Sequence, residues 1–443
     1  MSVDTAVSVD ALTGGISAPA TQKVGVPAIV RRNARLLTAA EAFVGTGQQM
    51  VPTLGALMVI HLTNSPALAG IASSILGLTR VLASYPSGRL ADARGRKFVL
   101  VIGLLVSLAG ALTLGSSMLL TSFPIFIAGL LLFGVGNGTS QQQRRLSAAD
   151  MYPPDRRAQG LGYVLTGSLV GALGGPVIIS LAGAISQAGG MDQMALSWLL
   201  VPFMLIPSLG LILRIRPDPK QIALALERYW PGYQAPARSP RPATSVTIWT
   251  FTRNYPHVVA FVSMFVLYGN MSMMMALTPM TMSAHGMALS AVSMTVSLHV
   301  VGMYGLSLPI GKLADALGRR PVMFGGILLS TVGTILVALT ASYPLMVLGL
   351  YLVGLGWSCG NVTTAAMVAD TTPAEFRGRA MGANTSFSAA ASVAAPLLGG
   401  VLVQLWGTTS LVAVTLMFIV PTAILLARLR ETKPGTYAHS TTF

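Results

Sequence analysis

Ten of the chain's 23 methionines fall within residues 264–303, a stretch where even scattering would place about two. Met271 and Met275 stand four residues apart, as do His299 and Met303, and that separation puts both members of a pair on one face of a helix. A thioether is a soft, neutral ligand that favours Cu(I), and an imidazole adds a stronger donor without bringing a negative charge into an apolar setting. A single methionine in an apolar helix is ordinarily a gap-filler, and a single histidine there is ordinarily a hydrogen-bonded core residue. A cluster of this density, with a histidine one turn from one of its members, reads instead as a low-coordinate, exchangeable site for a soft metal ion. The sole cysteine, Cys359, reads as a small buried core residue rather than a further ligand, and it can form no intramolecular disulfide.

The elements that would carry these side chains are membrane helices. Of 443 residues, 53% are hydrophobic and only 9% charged, and the mean hydropathy is +0.69. A soluble domain carries about 25% charged residues, so a water-soluble globule is excluded. The 47 glycines and 26 prolines suit membrane helices, where small residues permit close packing and neighbouring helices satisfy freed backbone groups. Apolar runs at 37–62, 66–87, 98–120, 124–147, 158–185, 196–214, 256–284, 289–311, 321–341, 344–368, 378–404 and 408–429 predict twelve spans. With the N-terminus inside, every Lys and Arg except Arg80 falls in the even-numbered junctions, the tails or the adjoining helix ends. The net charge of +15 is therefore a topology signal and a contact with the inner leaflet of the bilayer, and no nucleic-acid partner is expected. The chain divides into an N-terminal cytoplasmic tail at 1–36, a six-helix half at 37–214, a basic cytoplasmic linker at 215–255, a second six-helix half at 256–430 and a cytoplasmic tail at 431–443. Met271 and His299 then fall near mid-membrane on spans 7 and 8, with Met275 about one turn outward and Met303 about one turn inward, a ladder of ligands across the bilayer.

The halves repeat. Gly88-Arg-Leu-Ala-Asp92-Ala-Arg-Gly95-Arg96-Lys97 follows span 2, and Gly311-Lys-Leu-Ala-Asp315-Ala-Leu-Gly318-Arg319-Arg320 follows span 8. Asp150, Pro153, Asp155 and Arg157 after span 4 align with Asp370, Pro373, Glu375 and Arg377 after span 10, and Gly134-Val-Gly136 aligns with Gly354-Leu-Gly356. A duplicated six-span unit is the sequence mark of an alternating-access transporter. In the loop motif the glycine permits a tight turn, the aspartate can accept from N–H groups of a following helix, and the arginine can bridge to a neighbouring carboxylate.

This G-x-L-A-D-x-x-G-R-[KR] loop, present twice in a twelve-span chain with a central basic linker, resembles the major facilitator superfamily over residues 37–430. The resemblance implies an all-α fold of two pseudo-symmetric six-helix halves, with Asp92, Arg96, Asp315 and Arg319 holding the cytoplasmic gate closed while the cavity faces outward. The drug/proton antiporter pattern is departed from at Leu130, where an arginine would stand, and in the glycines of span 5. The M-x-x-x-M of span 7 and H-x-x-x-M of span 8 look like those of CcoA-type copper importers in the CalT branch of the superfamily. That likeness implies copper uptake across a bacterial inner membrane through Met271, Met275, His299 and Met303, supplying cytochrome oxidase. A cytoplasmic copper chaperone or a copper-exporting ATPase would be the downstream partner.

Glu41 and Arg80 are the charged residues set inside the spans, one on span 1 and one on span 2, and they are expected to form a pair that either couples transport to protons through Glu41 or is only structural. Gln48, Gln49 and Asn270 are the polar residues around which an organic-solute cavity, for a riboflavin-like importer or a drug exporter, would form instead. A copper-binding sensor without flux is the remaining alternative. No nucleotide-binding loop or nucleophile–base motif stands out, so an enzyme and a tightly bound cofactor are not expected, and copper enters only as the transported substrate.

Overall fold

Lipid offers no partner for a backbone N–H, so a long apolar run must close its hydrogen bonds within itself. The computed structural model describes residues 25–153, 156–231, 233, 251–372 and 377–429, and its elements are helices. Among the described residues twelve are long and apolar enough to cross a membrane: Ala28–Thr63, Pro66–Ala83, Arg96–Leu119, Phe123–Asp150, Gly162–Gly189, Gln193–Leu213, Tyr255–Ala284, Leu289–Leu317, Arg319–Leu339, Tyr343–Val368, Ala380–Trp406 and Ser410–Arg428. These are spans 1 to 12.

The first of them begins earlier than hydropathy alone indicates. Residues 28–36, expected as tail, are its opening turns, because the start of the central linker holds them: Asn33 donates to the Pro217 carbonyl at 3.2 Å and Arg32 to that of Arg214 at 3.1 Å. Asp218 in turn accepts from the backbone N–H groups of Arg96 (3.1 Å) and Lys97 (3.0 Å), capping span 3 with a carboxylate where the helix dipole favours one. Short helices Pro219–Leu224 and Leu226–Tyr229 continue the linker, and the Trp230 indole N–H donates to the Met151 carbonyl at 2.9 Å. The expected tails at 1–24 and 431–443, and linker residues 234–250, lie outside the described residues.

Prolines mark the breaks in two spans and free a carbonyl in a third, which stays one helix. Span 1 consists of Ala28–Gln48 and Met50–Thr63, and Pro52 is the residue whose missing N–H would have served the Gln48 carbonyl. Span 8 consists of Leu289–Tyr304 and Ser307–Leu317, and Pro309 stands four residues after Gly305. In span 5, Pro176 frees the Ala172 carbonyl, which takes the Ser297 hydroxyl of span 8 at 2.6 Å.

Within each half the same pairs pack closely, spans 3 with 4 and 1 with 5, mirrored by 9 with 10 and 7 with 11. The repeated Gly-x-Gly explains the first pair. A Cβ on Gly136 would lie 2.6 Å from the Gly103 carbonyl oxygen of span 3, and one on Gly356 would lie 2.5 Å from that of Gly326 on span 9. The other glycine of each motif faces the opposite way, Gly134 against Thr79 of span 2 and Gly354 against His299 of span 8. Between the halves the contacts run along spans 5 and 8 and along spans 2 and 11. Ser74 donates to the Val393 carbonyl at 2.7 Å, the Ala67 N–H donates to Gln404 at 2.8 Å, and Gly70 lies directly on the Pro396 carbonyl. These contacts seal the seam at the end of the bundle away from the basic loops.

Candidate functional site

On the basic-loop side of that seam lies a cavity of about 610 Å³ shared by both halves. Met271, Met275 and Met303 line it, together with Met264 and, from span 11, Met381. His299 does not. It is fully buried, its Nδ1 lies 2.6 Å from the Leu350 carbonyl oxygen, and it packs on Gly354, so the imidazole is turned to span 10. The expected four-ligand ladder is thus three thioethers along one wall, with the imidazole behind it. Met273, Met274 and Met282 belong to the apolar core of the second half, and Met294 is exposed. Among the described residues no three His, Cys, Asp or Glu side chains gather closely enough to hold a metal ion. Cys359 is buried, its Cβ against Gly326.

The charged pair differs from expectation. Glu41 is fully buried and pairs with Arg144 of span 4 rather than with Arg80, and its other oxygen accepts from Ser168 of span 5 at 2.7 Å. Arg144 comes from the end of span 4, where arginines read as topology charges, but it turns inward to Glu41. Successive residues on a helix point about 100° apart, so Arg145 cannot join it and instead lines the cavity, as Arg80 does from span 2.

Gln48, Gln49 and Gln141 line the cavity, and Gln48 links to Asn137 at 2.9 Å and to Gln141 at 3.1 Å. Asn270 is not part of it. Its amide donates to Ser330 and Thr334 and accepts from Thr415 at 2.7 Å, a satisfied node tying spans 7, 9 and 12. The lining of the other half, on the spans that carry the thioethers and on span 10, is aromatic, and no signal in the amino-acid sequence marks it. Trp357 of span 10 stands edge-on to Tyr268 and Tyr304, with ring centroids 5.9 and 5.6 Å away. A single aromatic in an apolar run is indistinguishable from core, and only the crossing of three spans assembles the wall.

The motif arginines sit at the basic end, and each pairs with carboxylates of its own half. Arg96 pairs with Asp150 at 3.1 Å and donates to Gln143 at 3.0 Å, while Arg319 pairs with Asp315 at 2.6 Å and Asp370 at 3.2 Å. The two repeated motifs are therefore partners, the arginine after span 2 or 8 meeting the aspartate that ends span 4 or 10. The Asp92 side chain lies outside what the structure describes.

Residues 37–269 and 259–442 match the family model described as Major Facilitator Superfamily. The chain is 27% identical over 401 residues to the uncharacterized MFS-type transporter YdeG of Bacillus subtilis (strain 168), covering 90% of each. It is 27% identical over 370 residues to the riboflavin transporter RfnT of Brucella anthropi, covering 80% of this chain and 84% of that one. Among solved structures, the nucleoside transporter NupG superposes with a TM-score of 0.67 at 16% identity, over 90% of this chain and 98% of that one. A bacterial homolog of the human lysosomal transporter Spinster, inward-facing and unoccupied, superposes with a TM-score of 0.66 at 14% identity, over 91% and 97%. At these identities the two structures speak to the fold.

Proposed function

The chain belongs to the Major Facilitator Superfamily, and we propose that within it the protein is a secondary-active transporter of an organic solute, working by alternating access through the central cavity. The observation that carries this reading is the cavity's opposed walls, Tyr268, Tyr304 and Trp357 on one side and the amides of Gln48, Gln49 and Gln141 on the other. A stack of aromatic edges with side-chain amides across from it suits a ring-bearing solute with hydrogen-bonding groups. The relative that transports riboflavin supports the same class of cargo. The placing of the basic residues puts the sealed seam on the outer side of a bacterial cytoplasmic membrane and both termini inside. On that placing the cavity lies on the cytoplasmic side of the seam, as do Arg96 and Arg319 with the aspartates they pair with.

A second reading rests on the methionines. Met271, Met275 and Met303 share the lining with Met264 and Met381, and such a set suits Cu(I) moving by ligand exchange toward a cytoplasmic chaperone. The two readings separate in reconstituted vesicles. Uptake of riboflavin or another ring-bearing solute that survives Met271→Ala/Met303→Ala and is lost in Trp357→Ala is the expected result. Accumulation of Cu(I) by the wild type that vanishes in the double methionine variant, with no organic uptake, would replace the first reading with the second.

A further inference from the structure

Arg144 and Arg145 are neighbours with different electrostatic circumstances. Arg144 is fully buried but neutralised by Glu41. Arg145 borders the cavity with no ion-pair partner among the described residues, and no Asp or Glu contributes to the lining. Glu41 is already committed to Arg144 and Ser168. The guanidinium shares the lining with the neutral Tyr304 side chain, and its Nε is buried with nothing to donate to. Arg80 adds a second cation to the same lining. A cation drawn into a partly desolvated cavity without an anion is costly, and the cost falls when a ligand supplies the anion.

A second, independent sign comes from the aromatic wall. The indole N–H of Trp357 is buried and has no acceptor, although Trp357 is the ring that both Tyr268 and Tyr304 meet edge-on. A buried donor without an acceptor is rare, and an indole can only donate. Arg145, Tyr304 and Trp357 all line the cavity, and Tyr304 meets the Trp357 ring edge-on. Two unused donors beside a wall of rings describe a ligand with a flat body and an acceptor-rich, negatively charged group at one edge. The buried amide oxygens of Gln49 and Asn384 are also unpartnered and would take the donors such a body carries.

We propose that the cavity binds a planar organic anion, its carboxylate or phosphate on Arg145 and its ring against Tyr268, Tyr304 and Trp357. This deepens the organic-solute reading and rests on it. It sets Arg145 apart from the other span-4 arginine as the residue that selects charge.

The test is binding to the purified full-length protein, read as thermal stabilisation in detergent, with three matched pairs: naphthoate and naphthamide, indole acetate and indole acetamide, and riboflavin phosphate and riboflavin. The two acids and the phosphate ester separate carboxylate from phosphate recognition. The anionic member of at least one pair is expected to bind wild type about tenfold more tightly than its neutral twin, the scale of one charge-assisted hydrogen bond. Arg145→Gln should bring the twins to within about twofold, while Arg145→Lys, which keeps the charge and guards against a folding artefact, should retain the preference. Trp357→Phe, which keeps the ring and loses the N–H, should weaken the anion several-fold. Neutral twins that bind as well as the anions, or a preference unmoved by Arg145→Gln, would overturn the anion while leaving an organic solute in place. A panel in which none of the six compounds stabilises the protein and Cu(I) does would remove the organic reading and the anion together. A blank panel without a copper response would likewise overturn the anion.

Discussion

The buried triad of Glu41, Arg144 and Ser168 joins spans 1, 4 and 5 of one half through two charges that have left water. Removing one member of such a pair leaves the other buried and unpaired, which costs about 3–5 kcal/mol. Glu41→Gln is accordingly expected to lower the thermal midpoint of the detergent-solubilised protein sharply. Glu41→Gln with Arg144→Met should recover most of the loss, because the orphaned charge goes with its partner. If proton coupling runs through Glu41, a Glu41→Gln protein that still folds will transport with a flattened pH profile, whereas Arg80→Gln will keep the wild-type profile, since Arg80 is not the partner of Glu41. An unchanged pH profile in Glu41→Gln would remove the carboxylate from coupling and leave it a structural tie.

Two glycines per half do the positioning at the next scale up. Gly134 and Gly136 let span 4 press on spans 2 and 3, and Gly354 and Gly356 do the same for span 10 against spans 8 and 9. A methyl group on Gly354 would stand 2.5 Å from the His299 carbonyl oxygen, a backbone atom that cannot swing aside. Gly354→Ala is therefore expected to cost about 1–3 kcal/mol by overpacking and to push span 8 and Met303 away from span 10. Loss of thermal stability together with weakened binding of the ligand found in the panel would check it. Gly382→Ala, where a methyl group meets open space, serves as the silent control. The repeat that exposes these glycines in the amino-acid sequence says that they recur, not which neighbour each one meets. The same limit explains His299. Its four-residue spacing from Met303 places both on one side of span 8, yet the turn is wide enough for Met303 to reach the cavity while His299 abuts Gly354 and the Leu350 carbonyl. Hydropathy and charge placement are one-dimensional signals, and the spans, their number and the duplication were legible from them. Met271, Met275, Met303, Gln48 and Gln49 stand out in the sequence as unusual for their surroundings, and the structure places them on the cavity lining. The aromatic wall, the division of labour between Arg144 and Arg145, and Asn270 as a tie rather than a lining residue depend on which helices cross, and that is written in no single span.

At the scale of the whole molecule polar contacts join the two halves toward one end, and the close approach of Gly70 to Pro396 and Gly400 to Ala67 makes that end a fitted surface. Interfaces of this kind are bistable, either seated or parted, so alternating access requires that the seam open in every cycle. Ser74 of span 2 and Val393 of span 11 face each other across it, hydroxyl to carbonyl at 2.7 Å. Cysteines at both positions, in a Cys359→Ser background that removes the native thiol, would hold the seam in the seated state once oxidised to a disulfide bond. Oxidation is expected to abolish uptake in vesicles and leave ligand binding from the cytoplasmic side intact, and reductant should restore uptake. The split between the two readouts carries the argument. A misfolded protein would lose both, and a seam that never parts would lose neither, so transport lost with binding retained identifies this end of the bundle as the outer gate.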